Sequence, residues 1–488
     1  MWAMSAAGYR RLGAAGSAAA AAGGWAAGTL PARDPWGIWV PHEAAVTAAA
    51  AVLAYAGLTL LVVAWWGYGR TAASVRETLV TLGWWAAPLL LAPPLYSADV
   101  YSYIAQGAMV LEGHDVYRAG PSVLDPDGLG GDAAASVGGH WTDTPAPYGP
   151  VFLVLARAVT WATGGTIVPA VLGMRLVAVA ALVLIVWALR RLARSCGTGE
   201  GGALWLGALN PLLLTHVVGG MHNDGLMIAL MLAGGVLALR GRWIAGAALV
   251  GLAMMVKSPA ALALPFIGVM AARAATGRRG LPRRVATGLL GPGLVAGAVA
   301  AGATLLAGTG FGWLRTQSVA GSIHTALSAT SDLGLALGEA LRLFLGTDPE
   351  PVKAAVQSLG LVAALTVIAC LAWRAAQNRL DPVHALGLAL LVLVALSPMV
   401  QPWYLLWGMT VIAATAPGAR TGRVLAVLSA ALVYETAPSG HTPAYGFALA
   451  GVACVVGAVL VRRDTGPPDG TRVPGPRRAE RDPSRTRT

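Results

Sequence analysis

Long apolar stretches alternate with short polar segments through most of this 488-residue chain. A helix that crosses a bilayer needs about 17–25 predominantly apolar residues, so each such stretch predicts a membrane-spanning helix. The pattern predicts about fourteen spans, or about twelve if the shortest do not cross completely. We expect them at residues 12–31, 45–66, 78–95, 169–189, 203–218, 224–239, 243–257, 259–272, 286–308, 354–373, 383–399, 403–416, 424–438 and 444–461.

The stretch 243–272 is the ambiguous part of this pattern. One long helix here would invert the orientation of every later segment, whereas two short helices keep Arg240 and Arg278 on the same side. Positive residues favour the cytoplasmic side of a membrane. With two helices, most of the 34 Lys and Arg residues fall in predicted cytoplasmic loops and in the tail. We therefore predict two helices, with both chain termini inside the cell.

Composition agrees with an all-α, multi-pass protein of the cytoplasmic membrane. The chain is 56% hydrophobic and 11% charged, whereas a soluble domain carries about 25% charged residues. The cytoplasmic loops and the tail account for the net charge of +12, so we predict no nucleic-acid partner. The three cysteines are too few and too scattered for a disulfide framework or a zinc site.

The chain divides into one integral membrane domain, residues 1–461, and a tail. Two large outer loops are predicted, a first one at 96–168 and a second at 309–353. The tail, 462–488, is rich in Arg, Pro and Asp and is predicted to be disordered in the cytoplasm. The Ala- and Gly-rich N-terminal segment is predicted to be the first span. Its alternative is a cleaved signal peptide, which would leave the orientation of the remaining spans unchanged.

The segment PPLYSADVYSYIAQG, residues 93–107, places a carboxylate at the outer rim of the third span. We predict that it continues this helix, so that Asp99, Tyr103 and Gln106 share one helical face. An ionisable residue at a membrane rim is a candidate functional group. The alternative is that Asp99 only caps a helix over 100–111. The residues alone do not separate these two interpretations.

A second polar cluster, HND, lies at the predicted outer end between the fifth and sixth spans. Asn223 or Asp224 could cap the sixth helix, but three consecutive hydrogen-bonding side chains exceed what a cap needs. His222 and Asp224 together fall short of a normal metal ligand set, so we predict neither a metal nor another cofactor, and a divalent metal has no support.

Two further candidates lie at outer boundaries. Lys257 either extends along the helix to the interface or meets an anion such as a phosphate, with Arg315 as a second cation of the outer loops. In LSPMVQPWYLLWG, residues 396–408, Trp403 and Tyr404 either form an aromatic belt or, with Gln401, face inward from a turn constrained by two prolines.

Four segments taken together resemble a known family over about residues 10–460. They are APPLYSADVYSYIAQGAMVLEGHDVYRAGP, W…TPAPYGP, NPLLLTHVVGGMHNDGLMIALML and SPMVQPWYLLW. The chain resembles the actinobacterial polyprenol-phosphomannose-dependent α-1,6-mannosyltransferases, which belong to the multi-spanning C-type glycosyltransferase superfamily. The resemblance implies that Asp99 is the catalytic base of the first outer loop and that Tyr148 of TPAPYGP binds substrate. Val116 stands where the family pattern has a proline.

The implied reaction moves mannose from polyprenyl-phosphate-mannose to an acceptor hydroxyl outside the cell, with inversion to an α product. A phosphate leaving group needs one base and nearby cations or dipoles rather than a carboxylate pair. The acceptor would be a glycolipid, a polysaccharide or a glycosylated metabolite, and the sequence does not select among them. The alternatives are another polyprenyl-phosphate sugar, such as arabinose or glucose, and a secondary transporter. A transporter would place its site near the midplane on paired repeats, which the sequence does not contain.

The predicted topology can be tested by labelling single cysteines in a chain whose native cysteines are replaced by serine. We expect an impermeant thiol reagent added to intact cells to label cysteine placed at Asp99, His222 or Gln401. Cysteine at Arg194 or Arg278 should react only after the membrane is opened. Labelling at Arg278 from outside would contradict the two-helix interpretation of 243–272.

Overall fold

All regular elements in the described part of the chain are helices. The computed structural model describes residues 4–274, 288, 290–319, 323–415 and 418–463. The helices are α1 (Ala6–Ala27), α2 (Ala44–Tyr68), α3 (Val75–Leu91), α4 (Asp99–Leu111), α5 (Gly131–Ala135), α6 (Pro150–Thr163), α7 (Ile167–Ser195), α8 (Glu200–Gly207), α9 (Pro211–Leu213), α10 (Asp224–Leu239), α11 (Trp243–Met254), α12 (Ala263–Ala274), α13 (Gly291–Ala307), α14 (Ala329–Leu345), α15 (Pro349–Ala376), α16 (Pro382–Ala395), α17 (Leu405–Ala413), α18 (Ala419–Leu432) and α19 (Ala444–Arg463).

Within those residues, four helices are long and apolar enough to cross a membrane: α2, α7, α15 and α19. A fifth span results if α8 and the segment Pro211–Gly219, which meet at a 50° bend, are taken as one broken helix. Six shorter apolar helices of 10–17 residues accompany them. The protein is therefore an all-helical membrane protein, whereas the predicted number of about fourteen spans stays a prediction.

The stretch 243–272 is broken into two helices, as predicted. Helix α11 ends at Met254, and a 3₁₀ turn over Ser258–Leu262 leads into α12. Lys257 lies in the break between them. Arg278, whose position tests the orientation of the pair, lies outside the described residues, as does the tail from residue 464 onward.

The third predicted span ends earlier than expected, and Asp99 does not continue it. Helix α3 stops at Leu91, and Ala92 is extended with ψ 154°. A proline disfavours helical backbone at the residue before it, and Pro93 and Pro94 directly follow Ala92. A separate helix, α4, then begins at Asp99. Since Ala98 occupies the N-cap position and Asp99 is the first residue inside the helix, the simple capping role for Asp99 is also wrong.

Helix α6, within the segment 96–168, packs against α4 and holds it in place. It starts at Pro150, which suits the first helical position because proline has no N–H to lose there. A side chain at Gly107 of α4 would lie 2.6 Å from the Ala156 carbonyl oxygen of α6, so glycine permits the close approach. Thr160 Oγ1 donates to the Ile104 carbonyl at 3.1 Å.

A buried arginine in α7 joins the two chain segments that lead to the polar clusters. Arg175 is only 2% exposed. Its guanidinium donates to the carbonyl groups of Leu90, Ala92, Pro93 and Gly219. The first three lie at the end of α3, and Gly219 ends a π-helical turn, Leu214–Gly219. The same side chain therefore fixes the chain just before Asp99 and just before His222.

Candidate active site

The carboxylate of Asp99 lies at the centre of a cluster that draws on several distant segments. Its Oδ2 atom is 3.1 Å from Nδ1 of His222 and 3.3 Å from the hydroxyl of Tyr103. The Asp99 side chain is 24% exposed, whereas that of His222 is fully buried. The structure thus brings together Asp99, Tyr103 and His222, and it leaves the carboxylate open to solvent on one side.

The surroundings of Asp99 favour its charged form. Burial opposes ionisation, but the hydrogen bond and charge of His222, with the charge of Lys257, outweigh it and lower the pKa of Asp99 below its usual value. Its position in the first turn of α4 adds the positive end of the helix dipole. Asp99 is therefore a carboxylate at neutral pH.

Aromatic rings enclose the buried side of this carboxylate. The His222 ring stacks on Trp403, with ring centres 3.7 Å apart and planes 23° from parallel. The Tyr103 ring meets Tyr148 edge-on at 5.4 Å and Phe152 at 4.7 Å. Such packed rings fix the direction of the polar groups that they carry.

Next to these rings lies an ion pair between Lys257 and Asp224, which we call the Lys257 arm of the cluster. Lys257 Nζ lies 3.0 and 2.8 Å from the two carboxylate oxygens of Asp224, a side chain that is 1% exposed. The same carboxylate accepts a 2.7 Å hydrogen bond from the Trp407 indole N–H. The ammonium also lies 4.6 Å above the Tyr404 ring. Lys257 is thus held by Asp224.

Most of the predicted site residues meet in this cluster, but three do not. No hydrogen bond or ion pair joins the side chains of Gln106, Gln401 or Arg315 to it within the part of the chain that the structure describes. Gln106 is buried, and its Oε1 atom has no hydrogen-bond partner among the described residues. Gln401 is half-buried, and Arg315 is exposed in the segment between α13 and α14.

Sequence reasoning missed Ser97, Trp407 and Arg175. Ser97 Oγ accepts the Asp99 backbone N–H at 3.0 Å. Trp407 follows Trp403 by four residues, so helical spacing could have placed both rings on one side. Arg175 had no comparable signal, because its partners are backbone carbonyl groups of other segments, which no sequence pattern reveals.

The backbone is strained at both entrances to the cluster. Tyr96 and Met221 have φ of 63° and 55°, in the left-handed region that side chains other than glycine rarely adopt. Tyr96 lies three residues before Asp99, and Met221 lies directly before His222. Backbone strain of this kind is often found at functional sites.

Metal binding has no structural support in the described residues. No group of three or more His, Cys, Asp or Glu side chains there is placed to hold an ion. The absence of a metal cofactor accordingly stays a prediction.

An all-helical membrane protein with an ionised carboxylate in a partly open, aromatic-lined cluster has the features of a membrane-embedded enzyme. Comparison with known proteins identifies the family. Residues 10–273 match the family described as "Alpha-(1->6)-mannopyranosyltransferase, N-terminal domain", and residues 330–463 match the "MptB C-terminal domain". The chain belongs to this mannosyltransferase family.

Individual relatives are similar to this chain over most of its length. A probable alpha-(1->6)-mannopyranosyltransferase of Mycolicibacterium smegmatis is 35% identical over 93% of this chain and 87% of its own length. Alpha-(1->6)-mannopyranosyltransferase A of Mycobacterium tuberculosis is 34% identical over 90% of this chain and 86% of its own. Alpha-(1->6)-mannopyranosyltransferase B of Corynebacterium glutamicum is 34% identical over 71% of this chain and 60% of its own. No solved structure matches the chain.

The buried ion pair yields a stability prediction. Lys257→Met should lower the free energy of unfolding by about 3–5 kcal/mol, because it leaves the Asp224 carboxylate buried without a counter-charge. The double variant Lys257→Met/Asp224→Asn should recover most of that loss, since Asn still accepts from Trp407 and carries no charge. Denaturant unfolding of the detergent-solubilised protein measures both.

A matched control is the exposed pair of Arg342 and Glu339 on α14, whose N–O distance is 2.7 Å. Arg342→Met should change the stability by less than about 1 kcal/mol. If Lys257→Met unfolds like the wild type, the ion pair does not carry the electrostatic role assigned to it.

Proposed function

We propose that this protein transfers mannose from polyprenyl-phosphate-mannose to an acceptor hydroxyl on the outer side of the cytoplasmic membrane, forming an α-1,6 linkage. The mannosyltransferase class follows from family membership. One observation carries the finer proposal. Asp99 is a carboxylate that is held by His222 and Tyr103 and still partly open to solvent. A group with these properties suits a general base that must meet an incoming hydroxyl.

In the proposed reaction the acceptor hydroxyl loses its proton to the Asp99 carboxylate. The acceptor oxygen forms a bond to the anomeric carbon on the face opposite the phosphate. The bond between that carbon and the phosphate oxygen breaks, and polyprenyl phosphate leaves with the electron pair. A β-linked donor then gives an α-linked product, and the proton passes from Asp99 to solvent.

A single free carboxylate fits this scheme better than hydrolysis of a glycoside, which uses two. Asp224 is the nearby candidate for a second acid. It is buried, and both of its oxygens are engaged by Lys257 and one of them by Trp407. Phosphate is already a good leaving group, so no acid is required to protonate it.

The donor phosphate is assigned to Lys257 and Arg315. The ammonium of Lys257 influences Asp99 electrostatically and is 17% exposed, so one edge of it remains accessible beside the base. Arg315 is exposed on the second outer loop, from which a guanidinium can approach a phosphate. In this scheme Asp224 keeps Lys257 charged and aimed, and Lys257 stabilises the negative charge of the departing phosphate.

Family membership favours an enzyme over the transporter alternative. Arabinose or glucose as the transferred sugar remains the alternative donor, and competition between labelled donors in membranes would separate them. The acceptor class, a glycolipid, a polysaccharide or a glycosylated metabolite, would follow from mass analysis of the products lost in a deletion strain. Membrane lipids are the remaining partner, since the isoprenoid tail of the donor stays among them.

Asp99→Asn tests the base directly. We expect mannosyl transfer by the purified variant to fall about 10²- to 10⁴-fold, as when a general base is removed. Asn preserves size and hydrogen bonding to His222 and Tyr103, so insertion and folding should be normal. Asp127→Asn is the control, because Asp127 lies in the same loop with a side chain that is 92% exposed. Activity of Asp99→Asn within a few-fold of wild type would remove the assignment.

The pH profile gives a second readout of the same proposal. As pH falls through the pKa of Asp99, the carboxylate is protonated and the rate drops. His222 lowers that pKa, so His222→Gln should shift the acid limb of kcat/KM to higher pH. An acid limb that stays in place would mean that another group sets it.

The assignment of Lys257 to the donor phosphate is tested with the double variant Lys257→Met/Asp224→Asn, which removes the cation without leaving a buried charge unpaired. We expect its KM for the polyprenyl-phosphate donor to rise about 10-fold or more, the cost of one charge-assisted hydrogen bond. Arg315→Ala should act in the same direction, and KM for the acceptor should change little in both. Unchanged donor KM in the two variants would refute the phosphate assignment.

A further inference from the structure

A second histidine, His216, lies behind the His222–Trp403 stack and has no role in the mechanism above. It belongs to the π-helical turn Leu214–Gly219 and is fully buried. Its ring centre is 5.0 Å from that of Trp403 and 5.5 Å from that of His222. π-helical turns inside helices are rare and frequently occur at functional sites.

Polar atoms without a partner are concentrated around this ring. Of the buried side-chain atoms that lack a hydrogen bond among the described residues, six belong to four residues in or next to the His222–Trp403 stack: both ring nitrogens of His216, Nε2 of His222, Nε1 of Trp403 and both amide atoms of Asn223. All four side chains are less than one-tenth exposed. Each unpaired buried polar atom costs about 1–3 kcal/mol, so such a concentration calls for a partner.

The chemistry of these atoms indicates what that partner is. An imidazole offers a donor and an acceptor, an amide offers both, and an indole offers a donor. A neutral molecule with several hydroxyl groups, each of which donates and accepts, satisfies such a mixed set. A phosphate only accepts and is served by cations, which lie on the other arm of the site at Lys257.

We propose that His216, with Trp403 Nε1 and the Asn223 amide, forms the pocket that recognises the hydroxyl groups of the transferred sugar ring. His216 is then a specificity-determining residue of the transferase. The inference rests on the proposed function, because it takes the sugar to be the one delivered to Asp99. The polar atoms are shut off from solvent in this structure, so the proposal includes a rotation of the Trp403 side chain that admits the sugar while His222 stays bonded to Asp99.

The test compares polyprenyl-phosphate-mannose with a set of donors that each lack one mannose hydroxyl. For the wild type we expect at least one deoxy donor to lose about 10- to 100-fold in kcat/KM, the value of one or two buried hydrogen bonds. In His216→Phe, which keeps an aromatic ring and removes both nitrogens, that penalty should shrink to within about 3-fold. Loss of packing alone would slow all donors equally and leave their ratios intact.

The matched control is His384→Phe. His384 is half-buried on α16 and bonds to Thr415 at 2.8 Å, with no contact to the cluster among the described residues. Its deoxy-donor ratios should equal those of the wild type. If His216→Phe does not insert, His216→Gln keeps one donor and one acceptor in altered positions and should change which deoxy donor is penalised.

Unchanged donor ratios in the His216 variants would overturn the inference and leave ordered water as the partner of these atoms. That result is distinct from failure of the proposed function. If the wild type does not transfer mannose from the intact donor at all, the mannosyl-donor assignment itself falls.

Discussion

The candidate site depends on one buried guanidinium. Arg175 sits inside a long apolar helix, and the bonds that it makes in the described structure are to backbone carbonyl groups, three at the end of α3 and one at Gly219. Carbonyl groups at a helix end have no partner within the helix, and leaving them unpaired away from water is costly. Together with the bond from the Leu95 N–H to the Gly219 carbonyl, Arg175 holds the non-helical chain before Asp99 against the turn before His222. These links help to bring two residues 123 positions apart to within 3.1 Å.

The charges of the site follow from the same need for compensation. A buried carboxylate is tolerated only with a counter-charge or several donors. Asp224 receives Lys257 and Trp407 and is thereby neutralised and immobile. Asp99 receives His222 and Tyr103 on the same oxygen, and its side chain stays 24% exposed. Two acids of the same kind, a short distance apart in one cluster, are therefore suited to different work: one fixes a cation and the other accepts a proton.

How much of this could be predicted from the sequence depends on the kind of signal. Hydrophobic length and the scarcity of charge predicted a helical membrane protein, and polar residues at the ends of predicted spans marked Asp99, His222 and Trp403 as candidate site residues, because few other places in an apolar chain can hold them. The sequence left open whether the helix after residue 99 continues the third span or starts separately, although Pro93 and Pro94 signal a helix end. Arg175 could not be assigned, since its partners are backbone atoms brought near by tertiary packing. His216 looked like one more residue of an apolar run, because a π-turn has no sequence pattern of its own.

The two arms around Asp99 also separate two tasks that a sugar-phosphate donor imposes. A phosphodiester carries charge and needs cations, whereas a hexose is neutral and needs directed donors and acceptors. In the proposed scheme, Lys257 serves the phosphate, His216, Trp403 and Asn223 serve the sugar, and Asp99 is the base. Changes in one arm can therefore alter the sugar that is accepted without disturbing how the phosphate is held.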